Sequence, residues 1–223
     1  MESSNEQILK SKILLAEKMI TSSIDIELLE RIFTGETFIV GGLVRDALLD
    51  KKSNDVDLMT RIEIETLISN LQSLGLEELK DGKDKFKENC YSFKKDANSK
   101  NIALVGGVLS FQIKGIQYQV ACIGHTGMET LILSSDLNIN CCAFSLREKR
   151  VMNSKYASEV VIDKAVRFVN MDNIENDPLK ILNALKQISR FPQLNIVTDT
   201  WNAIKNAMPV VIDFLRKNPS KKR

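Results

Sequence analysis

Asp55 and Asp57 stand one residue apart in the run DVDLM, just after the polar loop KKSN. On an extended chain this spacing puts both carboxylates on one face. Like charges that close repel, and a divalent cation with hard oxygen ligation, Mg2+ or Mn2+, offsets the repulsion. Upstream, the apolar run TFIV ends in Gly41-Gly42, and LVRDALLD follows with a helical pattern. Glycine tolerates positive φ and lets a ligand approach the backbone closely. The first amides of a helix lack intrahelical partners and suit a phosphate. Each half has a plainer reading, as ordinary turn geometry or as an exposed Asp-x-Asp beside a turn. Taken in order (glycine turn, short helix, loop, carboxylate pair on the next strand) they are a layout that sets a triphosphate beside a divalent metal.

The elements that must hold these groups follow from periodicity. An amphipathic helix is expected over 6–20, with Leu9, Ile13, Ala16 and Ile20 on one stripe, and that stripe is expected to pack on the same domain. A second short helix covers 24–33, strands cover 37–40 and 55–59, and a helix over 61–76 stops near Gly75. The lysine-rich stretch up to about residue 100 reads as loop around a strand at YSFKK. Two alternating runs within 107–124 flank Lys114-Gly115, a hairpin signal. ETLILSS over 129–135 reads as helix, and CAFSL and RVMN as a strand pair around REK. Helices follow at 177–191, with Pro178 in the first turn, and at 199–217, bent near Pro209, with Trp201 expected in the core.

Composition bounds the alternatives. The chain has 223 residues, 43% hydrophobic and 27% charged, as in soluble globular proteins. No apolar run approaches the ~20 residues of a membrane span. The N-terminus mixes Glu and Lys through its apolar positions and lacks secretory character, so an intracellular, cytoplasmic protein is expected. A net charge of +2 neither demands nor forbids nucleic acid. Cys90, Cys122, Cys141 and Cys142 have no C-x-x-C spacing, and the lone histidine, His125, leaves a zinc site without ligands. Buried reduced thiols are expected.

GGLVRDALLD followed by NDVDLMT resembles the head-domain signature of class II nucleotidyltransferases, the CCA-adding enzymes and bacterial-type poly(A) polymerases of the DNA polymerase beta superfamily. KGIQYQVACIG, SSDLNINCCAF and VRFVNMDNIENDPLKILNALKQISRF extend the similarity in order over about 37–191. The resemblance implies an α+β fold: a head with a five-stranded mixed sheet flanked by helices, then a small helical neck. It divides the chain into an N-terminal helical extension (1–23), a head (24–158) and a neck-like region with a basic tail (159–223), and leaves no room for the family's RNA-holding body and tail. It implies transfer of a nucleotide from NTP to an RNA 3′-hydroxyl, with Asp55 and Asp57 as catalytic metal ligands for Mg2+ or Mn2+. Gly41, Gly42, Arg45, Asp136, Asn140, Asp177 and Lys180 are the implied nucleotide-binding residues. Asp46 would hold Arg45, unless the two form only a structural pair. A protein partner would compensate for the missing RNA-binding domains.

The chain departs from the family pattern at several of these positions. The third acid falls on Gln119, a neutral amide. Arginines fall on Gly124, Ser134, Ser135, Asn183 and Lys186, and the base-reading arginine on Lys180, which lacks the planar fork. Three readings therefore stand: an active divergent RNA nucleotidyltransferase, a weakened or inactive homologue that binds RNA or nucleotide or serves assembly, and a transferase acting on protein.

Overall fold

The structure, a computed structural model, describes residues 3–53, 55–79, 87–94, 107–124, 127, 135–169, 171 and 179–218. Helix α1 (Ser4–Ser23) begins at a capping box: the Ser3 hydroxyl accepts from the Glu6 amide, and the Glu6 carboxylate accepts from the Ser3 amide. Its stripe does pack on the body of the protein, with Ala16 and Ile20 fully buried and Leu9 and Ile13 against them. Asp25 caps α2 (Ile26–Ile32). β1 (Thr37–Val40), α3 (Gly42–Leu48) and β2 (Asp55–Thr60) follow, then α4 (Ile64–Ser73), which gives way at Gly75 with φ +84°.

Strands β3 (Glu77–Glu78), β4 (Cys90–Lys94), β5 (Val108–Ile113) and β6 (Ile116–Cys122) come next. Lys114 and Gly115 both have positive φ, 52° and 75°, the geometry of a tight hairpin turn. After a 3₁₀ turn at Asn138–Asn140 come β7 (Ala143–Ser145), β8 (Arg150–Met152), α5 (Ser154–Val161), β9 (Ala165–Val166), α6 (Leu179–Ser189), β10 (Asn195–Ile196) and α7 (Thr198–Lys217). The helix expected over 129–135 falls, but for Ser135, outside the described residues.

The main sheet has eight strands in the order β3-β4-β5-β6-β2-β1-β7-β8, where five were expected. Short strands at both edges, β3 on one side and β7–β8 on the other, extend it. β2 lies between an antiparallel β1 and a parallel β6. Period-two alternation sorts the faces. Ile39, Val56, Leu58, Leu109, Phe111, Tyr118, Val120 and Phe144 share a core with α1 to α4. The opposite face carries Asp55, Asp57, Gln117 and Gln119 over β2 and β6, and a small cluster of Phe38, Val40, Cys141 and Ala143 over β1 and β7.

A second core joins Leu137, Ile139, Val160, Val166 and Phe168 to Ile181, Ala184 and Phe191, and to Ile204 and Val211 of α7. α7 runs as one helix through Pro209. The expectation of a buried Trp201 was wrong: it is 43% exposed, with Lys205 Nζ 5.6 Å from the ring centroid. The buried stripe of α7 is Thr200, Ile204 and Val211, so Trp201 lies one residue off it. All four cysteines are buried thiols outside any disulfide. Burial pushes the Cys122 thiol up to about 11 and those of Cys141 and Cys142 to about 12, which keeps them protonated and inert.

Candidate functional site

The site grows from the junction of β1 and α3. Val40 pairs with Asp57 across the β1–β2 ladder, and the chain turns at the next residue, Gly41. Gly41 has φ +68° and ψ −127°, which only glycine adopts without strain. A Cβ there would also come within 3.2 Å of Asp57 Oδ2. Two constraints thus require glycine at this position. Gly41→Ala is expected to cost about 1–3 kcal/mol of stability, measured by urea unfolding. Gly42 differs, since a Cβ there would meet only ordinary contacts, Arg45 Nη2 at 3.6 Å and Ser53 Oγ at 3.7 Å.

Asp55 and Asp57 face the same side of β2, opposite Gln117 and Gln119 in the parallel ladder. Asp55 is exposed and Asp57 half-buried. Burial, reinforced by the charge of Asp55, raises the pKa of Asp57 above the ordinary carboxylate value, and Arg45 acts in the opposite direction. Among the described residues no third His, Cys, Asp or Glu completes a metal-binding group. The nearest equivalent is the exposed amide of Gln119.

Arg45 lines the same site as Asp57 and is 4% exposed. Its Nε donates to Asp46 Oδ1 at 2.7 Å, Nη2 lies 2.6 Å from the same oxygen, and Nη1 donates to Asn140 Oδ1 at 3.1 Å. Asp46 is fully buried, and its Oδ2 accepts from Arg190 at 3.1 Å. Burial lowers the Arg45 pKa, and Asp46 opposes the shift. Beyond it the Phe191 ring is flanked by Arg45 (5.4 Å), Lys51 (4.4 Å) and Arg190 (5.7 Å), while Lys51 also donates to the Arg190 carbonyl. The polar groups of Arg45 are therefore engaged with protein, and the Asp46–Arg190 bond ties α3 to the residue that follows α6.

Val40, Gly41, Gly42, Arg45, Asp57 and Met59 line an open cleft of about 290 Å³ together with Ser135, Asn140 and Gln187. Asn140 is thus brought to the Gly41–Asp57 turn, and Ser135 Oγ donates to its carbonyl at 3.4 Å. Asp136 and Lys180 bond to each other at 3.0 Å and are not among the residues that bound the cavity. Asp177 lies outside the described residues. Sequence reasoning missed Gln187, whose buried Oε1 has no hydrogen-bond partner among the described residues. No local signal in the sequence singles it out.

A mixed sheet with helices on one face, and a glycine turn pressed against an Asp-x-Asp strand, is the layout of a nucleotidyltransferase head. Residues 37–154 match the family model of the poly(A) polymerase head domain, and the chain belongs to that family. Solved structures share the fold. The Thermotoga maritima CCA-adding enzyme complexed with tRNA has a TM-score of 0.64 at 19% identity, over 85% of this chain and 44% of that one. A CCA-adding enzyme with CTP gives 0.64 at 19%, over 90% and 47%. A tRNA nucleotidyltransferase with a primer tRNA and an incoming ATP analogue gives 0.62 at 19%, over 84% and 51%. The chain spans about half the length of these structures. No curated protein matches it in sequence. Among the described residues no helix is long and apolar enough to cross a membrane.

Proposed function

We propose that the protein is a template-independent RNA nucleotidyltransferase that moves a nucleotide from NTP to an RNA 3′-hydroxyl. The hydroxyl gives up its proton to water, its oxygen forms a bond to the α-phosphorus, the bond from that phosphorus to the bridging oxygen breaks, and pyrophosphate leaves. The observation that carries this reading is the contact of the Gly41 turn with Asp57, on a strand whose Asp55 faces the same side.

Two adjacent carboxylates, with the Asp57 pKa raised by burial and then by the charge of Asp55, fit a divalent cation that takes its remaining ligands from water and phosphate. Mg2+ or Mn2+ held by Asp55 and Asp57 would neutralise charge at the attacking and leaving oxygens. Gly41 and Gly42 leave the backbone open to the triphosphate. The Arg45–Asp46–Asn140 network fixes the wall behind it. Asp136, Lys180 and Asp177 are assigned to the nucleoside side, with Lys180 released from Asp136 when nucleotide enters. The head is taken as 24–158 and the neck as 159–223, with α1 as an extension. Many surface cations of the described chain are already paired, among them Lys12–Asp50, Arg61–Glu36, Lys114–Asp25, Lys149–Glu30 and Arg167–Glu159. RNA beyond the 3′ end is therefore assigned to a protein partner.

A specific observation favours a second reading, a weakened homologue that binds nucleotide or RNA: the Asp136–Lys180 bond and the neutral Gln119 leave few free charges for the ligand. Incorporation of labelled NTP into short RNAs, with Mg2+ or Mn2+, separates the two. Metal-dependent incorporation supports the transferase. Binding without incorporation supports the homologue, and incorporation into protein alone would overturn both. Gln119→Glu adds a third acid beside Asp57, and Mg2+ affinity is expected to rise on the order of tenfold or more by calorimetry.

A further inference from the structure

We infer that Gln187 is a specificity-determining residue that hydrogen-bonds the nucleoside part of the bound nucleotide. The inference rests on the transferase reading of the cavity. Gln187 projects from α6 into the wall facing Gly41 and Asp57. The other polar side chains of the wall are engaged: Arg45 with Asp46 and Asn140, Asn140 with Arg45, and Ser135 with the Asn140 carbonyl. Gln187 Oε1 alone is a buried side-chain oxygen or nitrogen without a partner among the described residues. A buried unpaired acceptor is costly, and a ligand donor that reaches it recovers that cost on binding.

The chemistry of the donor follows from the neighbours. Asp57 and the glycine turn define the phosphate and metal end of the cavity. A phosphate offers only acceptors, and it would meet Oε1 as a like group. A sugar hydroxyl or a base amino group supplies the N–H or O–H that Oε1 lacks. Discrimination from a site built to pair such a group exceeds what an apolar wall provides, because the wrong ligand leaves the buried atom unpaired.

The test is calorimetric titration, with Mg2+ present, of the parent protein and of Gln187→Met, which keeps length but neither donates nor accepts strongly. The ligands are ATP, CTP, GTP and UTP, their 2′-deoxy forms, and inorganic tripolyphosphate. Gln187→Leu replaces the methionine variant if that one unfolds. The expected result is at least about tenfold weaker binding of one or more nucleotides, with tripolyphosphate unchanged. Loss of the ribose-to-deoxyribose ratio identifies the sugar hydroxyl as donor, and loss of base preference identifies the amino group. Equal binding of all nucleotides by parent and variant overturns the inference and leaves the transferase reading standing. Equal loss for nucleotides and tripolyphosphate also overturns it. A parent that binds neither overturns both.

Discussion

Asp57→Asn is expected to lower NTP incorporation at least about 100-fold, beyond what removing an outer-shell partner of a metal ligand costs, while leaving the metal-free protein slightly more stable. The two effects share one cause. In the folded protein burial and the charge of Asp55 raise the Asp57 pKa above 3.8. A carboxylate with a raised folded-state pKa costs stability wherever it is ionised. The cost is absent below its unfolded pKa and fully present above its folded one. Asparagine removes it, so the variant should melt on the order of 1 °C higher at neutral pH, and the difference should vanish as pH falls towards the ordinary carboxylate value. Mg2+ should raise the melting temperature of the parent and not of the variant. Thermal melts across pH, with and without Mg2+, check both. A variant that keeps incorporating nucleotide would remove Asp57 from the site, and a lower melting temperature at neutral pH would reverse the electrostatic account.

Asp46→Ala should cost about 3–5 kcal/mol of stability. Asp46 is fully buried and bonds Arg45 through one oxygen and Arg190 through the other. Without it, Arg45 stays 4% exposed with Asn140 as its remaining side-chain hydrogen-bond partner. An uncompensated buried guanidinium costs more than the pair contributed, which sets the sign and the size. Against a usual total of about 5–15 kcal/mol, that is a large share. The urea midpoint should fall, and replacing Arg45 by Met in the same chain should recover much of the loss. A loss of unfolding free energy below about 0.5 kcal/mol would show that water satisfies Arg45.

The strand–turn–helix–strand unit was legible because each step has a local cause. TFIV is a short apolar run buried along its whole length, glycine breaks it, and Asp-x-Asp reports its own face by period two. The hairpin at Lys114-Gly115 was legible for the same reason. What was not legible was long-range. Asp136 and Lys180 both read as nucleotide contacts, and nothing local announces that they bond each other across 44 residues. Arg45–Asp46 was one of two open readings, but the second partner, Arg190, lies 144 residues from Asp46. Trp201 was assigned to the core by residue type, although the stripe of α7 passes one position away. Gln187 gained meaning only when the cavity joined α6 to Gly41.

The place of β2 has a further consequence. Hydrogen-bonded to β1 on one side and β6 on the other, it lies inside the sheet, and Val56 and Leu58 anchor it in the main core. Its amides should exchange with solvent only when the whole domain opens. The carboxylates therefore sit on an anvil that cannot be bent to suit a substrate. Adaptation, whether toward a new nucleotide or toward silence, is left to the side chains around it, and a lineage can lose its chemistry at those positions without its scaffold registering the change.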